Sequence, residues 1–122
     1  MLLKDFYEVQ LIDKVSDTKY FATIILNEKH EVFKGHFPGN PVTPGVCMMQ
    51  IIKELTQEVT GFSLQLKSSN NVKFMALINP EETPELRLEL EILPNEDEVK
   101  VKNTTSFGET VALKLSNTYK KI

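Results

Sequence analysis

At 122 residues, 41% hydrophobic and 25% charged, the chain is long enough for one domain with its own core, and its composition is not that of a disordered chain. A net charge of −3, one arginine (Arg87) among 14 basic residues and no stripe pairing basic with aromatic residues argue against a nucleic-acid partner. No apolar run reaches the ~18 residues of a membrane span, no signal-peptide core opens the chain, and the single Cys47 rules out an intramolecular disulfide, so a cytoplasmic protein away from the membrane is expected.

In chain order, Phe6 to Val15 and Lys19 to Leu26 are rich in β-branched and aromatic residues. Ser16-Asp17-Thr18 separates them, which predicts a first hairpin. His30 lies in the charged run Asn27 to Glu31 and reads as a solvated surface residue. Glu31 to Gly35 is then a short connection into an unusual loop.

That loop, Gly35 to Val46, takes three of the five glycines and three of the six prolines, with one of the two histidines, His36. Proline stiffness and close-approach glycine beside a lone His fix an imidazole rather than merely turn the chain. Thr43-Pro44-Gly45 reads as an N-cap, a proline in the first helical position and a residue without a side chain. The helix behind it offers unpaired N–H groups and a positive dipole end close to the histidine. His plus a helix N-terminus is a compact kit for proton transfer beside a polarised carbonyl.

The spacing predicts a helix over Pro44 to Thr60. Met48, Ile52, Leu55 and Val59 form one stripe, Cys47 and Ile51 flank it, and Gly61 stands where a C-cap belongs. Cys47, Met48, Met49 and Ile51 are simplest as core. Strands follow: Phe62 to Leu66 is short, and Asn71 to Ile78 is apolar enough to be central. In Glu85 to Leu93, the alternation of Leu86, Leu88, Leu90 and Ile92 with charged residues predicts a half-solvated antiparallel strand. Turns at Pro94 to Asp97 and Ser106 to Glu109 lead into Glu98 to Thr105 and Thr110 to Thr118. One buried helix followed by an antiparallel meander gives an α+β layout, a sheet wrapped around a helix, as a single domain over residues 1–122. Two histidines and one cysteine without ligand spacing offer no structural zinc site, and no cofactor is expected.

The run His36-Phe37-Pro38-Gly39-Asn40-Pro41-Val42-Thr43-Pro44-Gly45-Val46 resembles the active-site signature of the 3-hydroxyacyl-acyl-carrier-protein dehydratases of the FabZ/FabA type, which have the hotdog fold. Val72-Lys73-Phe74 and Asn79-Pro80-Glu81-Glu82 are similar, in weakened form, to that family's Lys-Phe strand and its Pro-Gly-Asp turn. The resemblance spans roughly residues 5 to 118 in layout, and the first motif is the specific part. It implies an antiparallel sheet around one long helix and an acyl thioester on acyl carrier protein or CoA as substrate. It also implies a site between two subunits of a homodimer or higher oligomer. In it His36 removes the proton next to the thioester carbonyl, the Gly45 N–H polarises that carbonyl, and Phe37, Pro38, Gly39, Val46 and Phe74 line the substrate. Such carriers are acidic, which draws attention to Lys34 and Lys73 and, further off, Lys67, Lys120 and Lys121.

The chain departs from the pattern at one position. The family places Glu or Asp fourteen residues after the His, where this chain has Gln50. An amide exchanges hydrogen bonds but cannot cycle a proton near neutral pH. Four readings stay open: a dead site, a heterodimer with an acid-bearing hotdog paralogue, Gln50 orienting water or a carbonyl as in a thioester hydrolase, or Glu54 reaching in from the next turn.

Overall fold

The computed structural model describes residues 5–34 and 41–122. The elements in chain order are β1 (Tyr7–Lys14), β2 (Lys19–Leu26), α1 (Glu31–Lys34), α2 (Gly45–Thr60), β3 (Leu64–Phe74), β4 (Glu85–Pro94), β5 (Glu98–Phe107) and β6 (Thr110–Lys121). The strands form one antiparallel sheet in the order β1-β2-β4-β5-β6-β3. β1 and β2 make the expected hairpin, with Ser16 Oγ accepting from the Thr18 and Lys19 amides in its turn. Asn95 does the same between β4 and β5, its Oδ1 accepting from the Asp97 and Glu98 amides.

Period-two patterning decides which way each strand faces. Leu86, Leu88, Leu90 and Ile92 are buried on β4, while Ala22, Ile24 and Leu26 line β2 and Val99 and Val101 line β5. Leu113, Leu115 and Tyr119 complete this inner face from β6. Against it α2 sets Cys47, Met48, Ile51, Ile52 and Leu55, all buried. Each fully buried Leu or Ile contributes about 1.5–3 kcal/mol relative to exposure, so this one helix face is a major part of the driving force. The polar residues on the inner face are satisfied within it. Thr105 donates to Asn103 Oδ1 at 2.8 Å, Asn117 Nδ2 donates to the Tyr119 hydroxyl at 2.9 Å, and Ser69 donates to Asn117 Oδ1.

Three expectations are corrected. Glu31 to Gly35 is more than a connection, because Glu31–Lys34 forms a helical turn that buries Phe33. His30 is not a solvated residue: its ring meets Phe6 edge-on at 5.1 Å and its Nδ1 accepts from the Val32 amide, so it anchors that turn. The segments Phe62 to Leu66 and Asn71 to Ile78 do not form a short strand and a central one. Leu64–Phe74 is one strand at the edge of the sheet, mostly exposed, with register shifts between Leu66 and Ser68 and between Asn70 and Lys73. Each slip changes which face a side chain takes, and Asn71 at φ 54 accommodates the second. Apolar residues that look like a central run therefore end up outside, with Val72 42%, Phe74 58% and Leu77 71% exposed.

Candidate active site at the N-terminus of the central helix

The start of α2 differs from its expected form. Pro44 (φ −62°, ψ 144°) is itself the N-cap, the helix proper begins at Gly45, and no side chain of the described residues caps it. Thr43 stands one position too early to cap. Its amide donates to the Ile78 carbonyl at 2.8 Å, tying the loop's exit to the segment before β4. Because the first amides of a helix have no carbonyl four residues back, the N–H groups of Gly45 and Val46, which find no carbonyl among the described residues, are open to a ligand or solvent. The other end matches expectation: Gly61 at φ 77° donates its amide to the Gln57 carbonyl.

This bare end faces a cleft of about 280 Å³ whose walls include Val42, Thr43, Gly45, Met48, Phe74 and Leu77. A Cβ at Gly45 would stand 2.8 Å from Cζ of Phe74, so glycine lets the ring close over the helix end. The structure thus brings Gly45 and Phe74 together, from the helix and from the last residue of the edge strand. It does not bring Val46 to the cleft; that side chain is 69% exposed on the first turn. His36, Phe37, Pro38 and Gly39 lie outside the described residues.

Gln50 belongs to a second cluster. Its Nε2 donates to Glu54 Oε2 at 2.9 Å, and the Tyr7 hydroxyl donates to Glu54 Oε1 at 2.8 Å. With its NH₂ turned to Glu54, the amide keeps its carbonyl for another donor. Burial first, and then the hydrogen bond to Glu54, hold the Tyr7 phenol well above its ordinary range, so it remains a donor. Tyr7, 47 residues from Glu54, has no local sequence signal that would have marked it. Five positions along a helix rotate a side chain by about 140°, so Gln50 and Gly45 of one chain point into different spaces. Among the site residues predicted from sequence, Gly45 and Phe74 share a cleft and Gln50 stands apart.

The lysines also sort themselves. Lys67 pairs with Glu98, whose carboxyl that contact holds below its ordinary range. Lys73, Lys102 and Lys114 instead gather around a groove of about 240 Å³ on the outer face of the sheet. Lys73 directly precedes Phe74, so the groove starts one residue from the cleft. Lys34 is exposed at the end of α1. Among the described residues no group of three or more His, Cys, Asp or Glu could hold a metal ion, and no helix is long and apolar enough to cross a membrane.

The same arrangement of sheet and helix recurs in solved structures. One chain of a dehydratase heterocomplex, ApeI:P, from Xenorhabdus doucetiae is similar with a TM-score of 0.75 at 17% identity, over 93% of this chain and 96% of that one. A hypothetical thioesterase from Streptococcus pneumoniae, solved with coenzyme A, is similar with a TM-score of 0.64 at 12% identity, over 95% and 85%. The chain is therefore a hotdog-fold protein, in a class that includes both dehydratases and thioesterases. Within that class it belongs to the ApeI-like family, described as ApeI dehydratase, whose model matches residues 12–114. Relatives named 3-hydroxyacyl-(acyl-carrier-protein) dehydratase FabZ agree. The one from Pediococcus pentosaceus is 26% identical over 92% of this chain and 77% of its own length. The one from Caulobacter sp. strain K31 is 29% identical over 87% and 72%.

Proposed function

We propose that this chain acts as a dehydratase-like hydro-lyase on 3-hydroxyacyl thioesters, with the acyl group carried on acyl carrier protein or CoA in fatty acid or related synthesis in the cytoplasm. The observation that carries this reading is the uncapped helix end at Gly45, held bare inside an apolar cleft. An acyl thioester needs such a place. Removing a proton from C2, the carbon next to the carbonyl, pushes charge onto the carbonyl oxygen, and a preorganised N–H in an apolar setting stabilises it. In this reading His36 takes that proton and Gly45 N–H receives the oxygen. The hydroxyl at C3 then leaves, which requires a proton as the C–O bond breaks.

Gln50 cannot supply that proton. Its separation from Gly45 around the helix favours a site assembled from two chains, the His loop of one facing the central helix of the other. A second reading follows from the Gln50–Glu54 hydrogen bond: the chain supplies a half-site to a hotdog paralogue bearing Glu or Asp. The similar chain from Xenorhabdus doucetiae comes from a dehydratase heterocomplex, which supports a pairing of unlike chains. Hydrolysis of the thioester is less favoured, because Glu54, the nearest candidate to activate water, already accepts from Tyr7 and Gln50.

The test is hydration of a crotonyl thioester, the reverse reaction, by the purified protein and by His36→Ala. A loss of at least about a hundredfold with unchanged folding is expected. Unchanged turnover in the variant would remove His36 from the mechanism, and free acid appearing instead of the 3-hydroxyacyl product would turn the reading to hydrolysis.

A further inference from the structure

The wall of the cleft includes a residue that the scheme above does not use. Thr43 is 93% buried by the complement of its 7% exposure, and its hydroxyl has no hydrogen-bond partner among the described residues. It is the only buried side-chain oxygen or nitrogen of the described residues in that condition; Thr56, Thr105, Asn103 and Asn117 all find partners. Buried polar groups are satisfied as a rule, and an orphan is a departure that calls for a physical reason.

The reason lies in the loop's own chemistry. As an N-cap, Thr43 would spend its hydroxyl on an amide two or three residues on. Pro44 has taken the N-cap position instead, which leaves that hydroxyl one residue short of the helix. Pro44 brings no N–H, and the Thr43 N–H is committed to the Ile78 carbonyl. Among the described residues around the head of the cleft, the donors left are the first helical amides and the Thr43 hydroxyl. The neighbouring walls, Val42, Met48, Leu77 and Ile78, carry no side-chain group that competes for it. Phe74 is the group that stands over Gly45, and at 58% exposure the residue has open space beside it.

We infer that the Thr43 hydroxyl is a second donor to the ligand's carbonyl oxygen, working beside the Gly45 N–H once the Phe74 ring has swung aside. Its ligand is therefore a carbonyl on an otherwise apolar acyl chain, and in the thioester reading, on which this rests, the oxygen that gains charge as the C2 proton leaves. The hydroxyl contributes most when that oxygen is most negative, so its loss lowers kcat more than it raises KM.

Thr43→Val keeps the shape and deletes the donor, and Thr43→Ser keeps the donor. Hydration of crotonyl-pantetheine by Thr43→Val should fall at least about tenfold in kcat, and Thr43→Ser should retain most of the rate. Because the hydroxyl has no partner among the described residues, Thr43→Val should melt no lower than the parent, whereas a structural hydroxyl would cost stability. The infrared band of a carbonyl-¹³C crotonyl thioester should lie lower when bound to the parent than in water, and should move back up in Thr43→Val. A parent that binds and turns over the thioester, with an unchanged rate and band in Thr43→Val, overturns this inference and leaves the thioester reading standing. A lower melting temperature in Thr43→Val together with an unchanged band assigns the hydroxyl to structure and overturns it as well. A parent that neither binds nor hydrates the thioester overturns the thioester reading, and the role of Thr43 with it.

Discussion

Gln50 shows how one atom changes what a site can do. Its NH₂ is committed to Glu54 at 2.9 Å, so replacing it with a carboxyl puts two acids at hydrogen-bonding distance on successive turns. Such a pair shares a proton, and one member is held protonated well above the ordinary carboxyl range. Gln50→Glu should therefore create the missing general acid and raise crotonyl-thioester hydration well above the parent, within the ~10²–10⁴ that such catalysis contributes. A parent that already hydrates efficiently, and slows on this substitution, would show that the acid comes from elsewhere. Gly45 gives a complementary test. The atom that its Cβ would strike is the far end of the Phe74 ring, which can rotate, and Ala suits a helix better than Gly by roughly 0.5–1 kcal/mol. Gly45→Ala should fold at least as well as the parent while losing hydration activity. Retained activity would show that neither the close approach nor the ring's position matters.

At the scale of elements, α2 was the most legible part of the chain. Its stripe needs only the 3.6-residue period, and Gly61 ends it where a left-handed residue is required. β4 was legible for the same reason, each leucine of its alternation being buried. β3 was misread because Val72, Phe74 and Leu77 are apolar without being buried, and sequence cannot tell a core contact from an exposed edge. The start of α2 was misread by one residue, which exchanged a capping threonine for an orphaned one. β6 carries a prediction of its own. Its inward row ends in Tyr119, whose phenol burial pushes up to about 12 from 10.0, against a smaller lowering by the Asn117 amide. The unfolded chain ionises near 10 and the folded one only near 12, so this contribution to stability is complete below pH 10 and is lost as pH rises through about 12. Urea midpoints should fall over that window, and less steeply in Tyr119→Phe; an identical pH dependence in the variant would exclude Tyr119 as the source.

For the whole molecule, the outer side of β3 is decisive. An edge strand with exposed Leu66 and Val72, continued by exposed Met75 and Leu77, is an unpaired ladder beside apolar surface. A second hotdog chain laid against it would cover that surface and bring another central helix towards the cleft at Gly45. The expected assembly is a dimer, isologous if homomeric, that can build further to a hexamer. Sedimentation at micromolar concentration should give at least a dimer, and Val72→Lys should shift it towards monomer. A monomeric parent would sink the shared site. The sequence by itself determined the α+β class, the helix, the β4 alternation and the Gly/Pro loop, because these depend on local period and on what glycine and proline permit. Only the tertiary structure decided that β3 is an edge, that Tyr7 meets Glu54 across 47 residues and that three lysines share one groove. It alone decided, too, that the buried Thr43 hydroxyl has no partner among the described residues. Those facts concern which distant surfaces meet and which stay uncovered, and a local pattern carries no information about its neighbours across the sheet.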